Sequence, residues 1–279
     1  MRFQSFASGS SGNCIYTGSE STHILVDTGI SRKRTADSLH AIDLDLKDLS
    51  GIFITHEHTD HISGLPMIMK STDIPVFATK GTIGRLLAMS QFSGVDPARF
   101  QVVKADEKLT VGDLAVSPFS TSHDAAEPVG YRIWYGSQMV CICTDLGCYN
   151  DYTAECLRHA DVLLLEANHD VNMLQVGPYP YALKQRILGE RGHLSNDACG
   201  TLLAGVMNSH MRAVFLGHLS KENNYPELAY ETVRLSLIAE NLMGGGYGQG
   251  RSAAGTGRGI TDFPLFVAGR TEPSRLISW

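Results

Sequence analysis

The chain carries a dense group of possible metal ligands in the stretch FITHEHTDHISG, residues 53–64. An apolar run leads directly into His56, His58, Asp60 and His61. At the end of an extended strand, His56 and His58 project to the same side, because side chains alternate with a period of two. If the chain then turns, Asp60 and His61 face a second point nearby. Such ligands suit two metal ions, and without metal they would leave buried polar atoms unsatisfied.

Three further candidates follow along the chain, each after a run of β-type residues. His123 lies in STSHDAAEP, Asp145 in CICTDLG and His218 in FLGHLS. Either of these histidines alone would more often be an ordinary buried residue. Their order after successive strands instead favours a site assembled on one edge of a sandwich.

This ordered set resembles the metallo-β-lactamase superfamily, whose signature is HxHxDH after a strand. The resemblance implies two divalent metal ions, zinc or manganese. In the implied ligand set, one ion is held by His56, His58 and His123, the other by Asp60, His61 and His218, and both by Asp145. Asp27, in ILVDTG, matches an aspartate that supports the metal loop by hydrogen bonds. The alternative for Asp27 is a simple turn residue before Gly29.

A narrower resemblance covers nearly the whole chain. The segments ASGSSGNC, SHDAAEPVGYRI, LLLEANHD, RGHLSN, LGHLSKENN and VAGRTEPS resemble the bacterial YycJ (WalJ) group, a nuclease-like branch related to ribonuclease Z. This implies a metal-dependent nuclease, an exonuclease with 5′ to 3′ polarity, and a nucleic acid partner, with DNA favoured over RNA.

The four residues Gly-His-Leu-Ser occur twice, and their contexts differ. His218 follows the apolar run AVFL and matches the last metal ligand, whereas His193 precedes Ser195, a residue suited to capping a helix. Free backbone N–H groups at a helix N-terminus favour a bound phosphate. The likeness to ribonuclease Z implies that His193 and Glu166, of LLLEANHD, flank the metals and assist the phosphodiester chemistry.

Two other motifs each have two interpretations. His169 either joins His193 and Glu166 or is an ordinary loop histidine. The turn SGSSGN, residues 8–13, either presents backbone donors to a substrate or is a plain tight turn.

The expected mechanism uses a hydroxide bridging the two metals as nucleophile, because metal coordination lowers the pKa of water toward neutrality. Asp60, or the pair formed by His193 and Glu166, would transfer protons. The alternative function is a small-molecule hydrolase, namely a lactonase, a thioesterase like glyoxalase II or a cyclic phosphodiesterase. It stays open because fold and metals alone do not select a substrate.

The elements that must position these residues are short apolar runs that alternate with helical stretches. The runs CIYTG, THILVD, GIFIT, IPVFAT and LAVSPFS predict strands. Helices are predicted from Ser31, His61 and Gly81, and a hairpin at Gly136-Ser137. The second half repeats the pattern, which predicts an α/β fold, a four-layer αβ/βα sandwich.

We expect one domain over residues 1–279, with the Gly-rich stretch 244–259 as a long surface loop before a strand in FPLFVAGR. The formal net charge of −6 argues against a protein that coats long nucleic acid, but not against a nuclease with a small footprint. No apolar run approaches the eighteen or so residues that span a bilayer. The N-terminus, MRFQSFASGS, also lacks the basic and apolar regions of a signal peptide, so a cytoplasmic protein is expected. That compartment keeps thiols reduced, so the six cysteines, which show no CxxC spacing, are expected to be free.

Overall fold

The computed structural model describes residues 1–240 and 264–279, whose strands form two seven-stranded sheets. The first sheet holds β1 (Arg2–Ala7), β2 (Cys14–Gly18), β3 (His23–Val26), β4 (Leu49–Phe53), β5 (Val76–Thr79), β6 (Phe100–Val103) and β14 (Ile277–Ser278), in the spatial order β14-β1-β2-β3-β4-β5-β6. The second holds β7 (Leu109–Val111), β8 (Leu114–Ser120), β9 (Val129–Tyr135), β10 (Gln138–Cys143), β11 (Val162–Glu166), β12 (Ala213–Gly217) and β13 (Leu265–Val267), in the order β13-β12-β11-β10-β9-β8-β7.

Helices cover the outer face of each sheet. In the described part they are α1 (Arg32–His40), α2 (Thr59–Ile62), α3 (Leu65–Ser71), α4 (Lys80–Leu87), α5 (Asp151–Leu157), α6 (Val171–Val176), α7 (Tyr181–Leu188), α8 (Asn196–Val206) and α9 (Pro226–Ala239). Apolar residues of α1, α3 and α4 form one core with the first sheet, and those of α5, α8 and α9 form another with the second. A third core joins the two sheets through Phe53, Tyr131 and Phe215. The predicted αβ/βα sandwich is therefore confirmed.

Parallel strands explain where the candidate ligands meet. Strands β3 to β6 run parallel in one sheet and β10 to β13 in the other. Strands buried on both faces read as continuous apolar runs, as in VLLLE of β11 and AVFLG of β12. The polar residues after such strands gather at the carboxyl edge, where open α/β sheets bind their ligands.

The predicted helix starts are mostly confirmed. Ser31 caps α1 by accepting a hydrogen bond from the Arg34 N–H at 3.3 Å. The single helix predicted from His61 is wrong, because the chain forms α2 and α3 with a break at Gly64. There the Gly64 N–H donates to the carbonyl of Thr28 at 2.8 Å instead of to a carbonyl of the preceding turn, which interrupts the helical hydrogen-bond series.

The hairpin prediction is confirmed: Gly136, with φ +58°, turns β9 into β10. The strand expected in FPLFVAGR is β13. The Gly-rich stretch 244–259 lies outside the described residues, so one domain over 1–279 stays a prediction. Within the described part, every helix is too short or too polar to cross a membrane.

Candidate metal centre

Three candidate residues adopt a left-handed backbone at or near the ends of strands. The φ angle is 61° at Asp27 after β3, 57° at Asp145 after β10 and 55° at His218 after β12. Residues other than glycine are uncommon in this region, and such backbone strain costs about 1–3 kcal/mol and clusters at functional sites. Here the turns bring side chains from separate strands to one edge of the sandwich.

The first cluster consists of His56, His58 and His123, whose ligand atoms lie within 4.8 Å of one another. His58 Nδ1 and His123 Nε2 face each other at 3.2 Å. Among the described residues, the buried His56 Nε2 has no hydrogen-bond partner. Burial and the nearby His61 hold the pKa of His56 well below its usual range, so its imidazole is neutral, the form that binds metals.

The second cluster consists of Asp60, His61 and His218. Asp60 Oδ2 lies 3.2 Å from His218 Nε2 and 3.4 Å from His61 Nε2. Asp145 lies between the clusters: its Oδ1 is 3.6 Å from His123 Nε2 and 3.6 Å from His218 Nε2, and its Oδ2 is 3.2 Å from His61 Nε2. The structure thus brings all seven predicted ligands together, with Asp145 in reach of both sets.

The opposite nitrogen of four imidazoles is held by the protein. The pairs are Thr55 Oγ1 with His56 Nδ1 (3.0 Å), Asp27 Oδ2 with His61 Nδ1 (2.7 Å), the Gly192 carbonyl with His123 Nδ1 (3.0 Å) and Glu166 Oε1 with His218 Nδ1 (2.9 Å). Such partners fix the tautomer that leaves Nε2 free for a metal. Asp27 therefore makes the supporting hydrogen bond that the sequence suggested, rather than serving only as a turn residue.

Glu166 links the two Gly-His-Leu-Ser turns. Its Oε1 accepts hydrogen bonds from His193 Nδ1 at 2.8 Å and from His218 Nδ1 at 2.9 Å. Its Oε2 accepts from the backbone N–H groups of Leu146 and Leu194. Burial alone would raise the pKa of Glu166, but the nearby His193 and the hydrogen bonds from His193 and His218 lower it to about 2. Glu166 is a buried anion that orients both histidines, whereas the side chain of His193 keeps 18% exposure.

The helix after His193 offers little to a phosphate, contrary to the expectation for its N-terminus. The Asn196 N–H donates to the carbonyl of His169, and the Ala198 N–H to Ser195 Oγ. Asp197 adds a negative charge to the first turn. The group that this turn presents beside the clusters is the partly exposed His193 imidazole, whose ring centroid lies 5.0 Å from that of His123.

The two motifs with open interpretations both have structural roles. The carbonyl of His169 accepts the Asn196 N–H, while its buried ring has no hydrogen-bond partner among the described residues. In the turn 8–13, Ser8 Oγ accepts the His218 N–H at 2.9 Å. The Asn13 backbone N–H donates to the Asp60 carbonyl at 2.7 Å. The turn therefore fixes the backbone of two candidate ligands.

Sequence reasoning missed two polar residues at this edge. Asn168 Nδ2 donates to the His218 carbonyl at 2.8 Å, which holds the left-handed turn. Asp124 lies 3.4 Å from His123 Nε2 and pairs with Arg186 at 2.5 Å. One indication of each was present in the sequence: Asn168 lies two residues after Glu166, and Asp124 directly follows His123.

The donor set fits divalent cations. Nitrogen and carboxylate ligands converge in two groups, the opposite ring nitrogens are hydrogen-bonded, and His56 Nε2 is buried without a partner in the described part. Metal binding would give that nitrogen a partner and relieve the close approach of His58 to His123. The fold and these clusters together indicate a site for divalent metal.

Fold and site define the class of the protein. The family model for the beta-lactamase superfamily domain matches residues 22–218. The chain therefore belongs to the metallo-β-lactamase superfamily of hydrolases, which confirms the resemblance found in the sequence.

Within that class, the chain is similar to exodeoxyribonuclease YycJ of Bacillus anthracis, with 37% identity over 254 residues that cover 90% of this chain and 93% of the relative. It is 36% identical to exodeoxyribonuclease WalJ of Streptococcus pneumoniae serotype 2, with coverage of 87% and 90%. The crystal structure of Zn²⁺-bound PqqB from Methylobacterium extorquens has a TM-score of 0.68 at 14% identity over the full length of both chains, which shows a shared fold.

Proposed function

We propose that this chain is a metal-dependent phosphodiesterase, an exonuclease that shortens DNA from the 5′ end. The observation that carries the proposal is a partly exposed catalytic candidate, His193, held by buried Glu166 beside two ligand clusters that share Asp145. The likeness to two exodeoxyribonucleases over about nine-tenths of the chain supports the substrate class.

Two divalent cations, zinc or manganese, are part of the proposal. His56, His58 and His123 would hold one, and Asp60, His61 and His218 the other, with Asp145 shared. When bound, such ions supply Lewis acidity at a phosphoryl oxygen and lower the pKa of water. They also add positive charge at the site, which attracts a negatively charged phosphodiester to a chain whose net charge is −6.

The chain's own residues divide the remaining work. His193 Nδ1 lies 2.8 Å from Glu166 Oε1, and this hydrogen bond to a buried carboxylate holds the ring beside the ligand clusters. With hydrogen on both ring nitrogens, His193 would donate from Nε2 to a phosphoryl oxygen or to the leaving group. Asp60, whose side chain is 23% exposed, can accept a proton from the attacking water. Glu166 acts as a positioning residue because it is fully buried.

The proposal also covers one domain over residues 1–279 and a cytoplasmic location. The central core shared by both sheets supports the first. All six cysteines are free, five of them buried, which supports the second because a reducing compartment preserves thiols.

The test compares activity on six substrates after loading with zinc or manganese. These are single-stranded and duplex DNA labelled at either end, the matching RNAs, a lactone and a thioester. We expect stepwise shortening of DNA from the 5′ end, slower action on RNA, and two metals per chain by elemental analysis. Cleavage of only the lactone or thioester would replace the nuclease with a small-molecule hydrolase, and one metal per chain would remove the dinuclear part.

A further inference from the structure

His58 differs from the other four imidazoles of the two clusters in the surroundings of its second ring nitrogen. Its Nδ1 faces His123 Nε2 at 3.2 Å, so Nδ1 is the nitrogen that points into the first cluster. A neutral imidazole that binds a metal through one nitrogen carries its hydrogen on the other. His58 Nε2 is therefore a donor, and the carboxylate oxygen that faces it, Asp124 Oδ1, lies 3.9 Å away.

Asp124 has an unused acceptor at this point. Its Oδ1 is buried and has no hydrogen-bond partner among the described residues, which is costly for a carboxylate oxygen. His123 Nε2 lies 3.4 Å from this oxygen but supplies no hydrogen in the neutral ring, because His123 donates from Nδ1 to the Gly192 carbonyl. The His58 side chain is 31% exposed, so its ring has room for the shift of about 1 Å that a normal hydrogen bond to Oδ1 requires.

The protein holds Asp124 in place from two sides. Arg186 Nε donates to Asp124 Oδ2 at 2.5 Å. Arg191 donates to the carbonyls of the two neighbouring residues, to that of His123 at 3.0 Å and to that of Ala125 at 3.3 Å. Both the backbone and the carboxylate of Asp124 are thus fixed by arginines, which leaves Oδ1 directed at the first cluster.

The ion pair with Arg186 argues against Asp124 as a direct metal ligand. The ligand atoms of His56, His58 and His123 lie within 4.8 Å of one another, whereas Asp124 is in none of the groups that meet this distance in the described part. A guanidinium on the same carboxylate also repels a cation. Asp124 is better placed to accept the N–H of a ligand than to bind the metal itself.

We propose that Asp124 is a positioning residue of the first cluster, which accepts the Nε2–H of His58 and so fixes the ring that presents Nδ1 to a metal ion. This inference rests on the metal site of the proposed function. It adds that all five imidazoles of the two clusters are held through their second nitrogen, His58 by a carboxylate that is paired with Arg186.

The variant Asp124→Asn tests the proposal because it keeps the size of the side chain. Arg186 can only donate, so the amide oxygen must face Arg186. The amide nitrogen, which is itself a donor, then faces the Nε2–H of His58, and the hydrogen bond is lost.

Asp106→Asn is the matched control. Asp106 also pairs with an arginine, Arg132, at 3.1 Å, and its other oxygen accepts from the Tyr152 hydroxyl at 2.9 Å. The substitution therefore removes the same charge from the same type of ion pair, away from the imidazole of any candidate ligand.

Titration with zinc against a competing chelator measures the first effect. Loss of a hydrogen-bond partner of a metal-binding histidine typically lowers metal affinity by about 10–100-fold. We expect Asp124→Asn to weaken one zinc-binding step by this factor and to leave the other step unchanged. Asp106→Asn should weaken neither step.

Nitrogen-15 NMR of the histidine rings supplies a readout that a general loss of stability would not produce. In the zinc-loaded wild type we expect hydrogen on His58 Nε2, protected from exchange with solvent, and in Asp124→Asn we expect that protection to be lost. The signal is assigned by its absence from His58→Gln.

Three results would overturn the proposal. The first is equal zinc affinity and equal protection in wild type and Asp124→Asn at equal melting temperature. The second is an effect of the same size in Asp106→Asn. The third is a wild type without hydrogen on His58 Nε2 together with complete loss of one zinc in Asp124→Asn, which would make Asp124 a direct ligand.

This inference and the proposed function fail separately. If the wild type binds zinc and shows the protected His58 signal but cleaves no nucleic acid, the proposed substrate is wrong and the role of Asp124 stands. If DNA is cleaved and Asp124→Asn changes neither zinc affinity nor the His58 signal, only this inference is wrong.

Discussion

The two Gly-His-Leu-Ser turns share four residues and one hydrogen-bond acceptor, yet they present their histidines differently. His193 and His218 both donate Nδ1–H to Glu166 Oε1, at 2.8 and 2.9 Å. The His218 side chain is 2% exposed and its Nε2 faces Asp60, whereas that of His193 is 18% exposed. His218 has φ 55° directly after β12, while His193 lies two residues before the cap of α8.

The difference shows that backbone context selects the role of an identical motif. At a buried strand end, the His218 Nδ1 is held by Glu166 and its Nε2 faces Asp60 within the second ligand cluster. A turn between two helices leaves His193 partly open to solvent and therefore to a substrate. One buried carboxylate orients both rings, because its Oε1 lies within hydrogen-bond distance of Nδ1 in each.

The largest effect should come from His218→Ala. Loss of its Nε2 leaves the second cluster with Asp60 and His61 beside the shared Asp145, so we expect metal content to fall and activity to drop by more than the roughly 10²–10³-fold that removal of one stabilising donor costs. Elemental analysis after dialysis and a DNA-cleavage assay measure both. Full metal content in this variant would show that the turn at 218 holds no cation.

The next effect concerns His193→Ala, which should keep its metal. Its imidazole contacts Glu166 rather than closing a ligand cluster of the proposed site, and we expect turnover of DNA to fall by about 10²–10³-fold. The same two measurements apply. Metal loss as complete as in His218→Ala would mean that the two turns share one role, and unchanged turnover would remove His193 from the chemistry.

Glu166→Gln should affect both turns at once, but less severely. An amide nitrogen in place of one carboxylate oxygen would face the N–H groups that now bond to it, and the negative charge near both imidazoles would be lost. Loss of such support typically costs 10–100-fold in metal affinity or activity. Glu155→Gln, which removes the charge from exposed pairs with Arg158 and His159, is the control and should behave as wild type.

Much of the fold and of the candidate site could be predicted from local sequence, for a physical reason. Buried parallel strands require apolar runs, and ligands after such runs must meet at one edge. The order of the candidates along the chain therefore indicates which residues converge. The Ser31 cap and the Gly136 turn were readable because single residues determine them.

What the sequence could not show depends on tertiary contacts. The break at Gly64 arises from a distant carbonyl, that of Thr28, which accepts the Gly64 N–H. Helices α6 and α7 were missed because glycine and two prolines interrupt the helical period between them. The shared role of Glu166 also required the structure, since nothing local indicates that one carboxylate reaches both histidines.

The smallest expected effect is on the free energy of unfolding, when the glycine before each histidine, Gly192 or Gly217, is replaced by alanine. A Cβ at Gly192 would lie 2.1 Å from the Ile187 carbonyl oxygen, whereas at Gly217 the nearest atoms are side chains, Ser8 Oγ at 2.7 Å and Leu164 Cδ1 at 2.8 Å. Side chains can shift, so Gly217→Ala should lower the free energy of unfolding by about 1–3 kcal/mol.

Gly192→Ala should cost more than Gly217→Ala, because the Ile187 carbonyl that it displaces also binds the His193 N–H. Denaturant unfolding of the two variants under identical conditions measures the difference. Equal losses would mean that the end of α7 yields as easily as a side chain. The turn at 193 would then be a flexible support for the His193 imidazole. The two histidines would differ in mobility, with His193 mobile and His218 fixed, rather than in exposure to solvent.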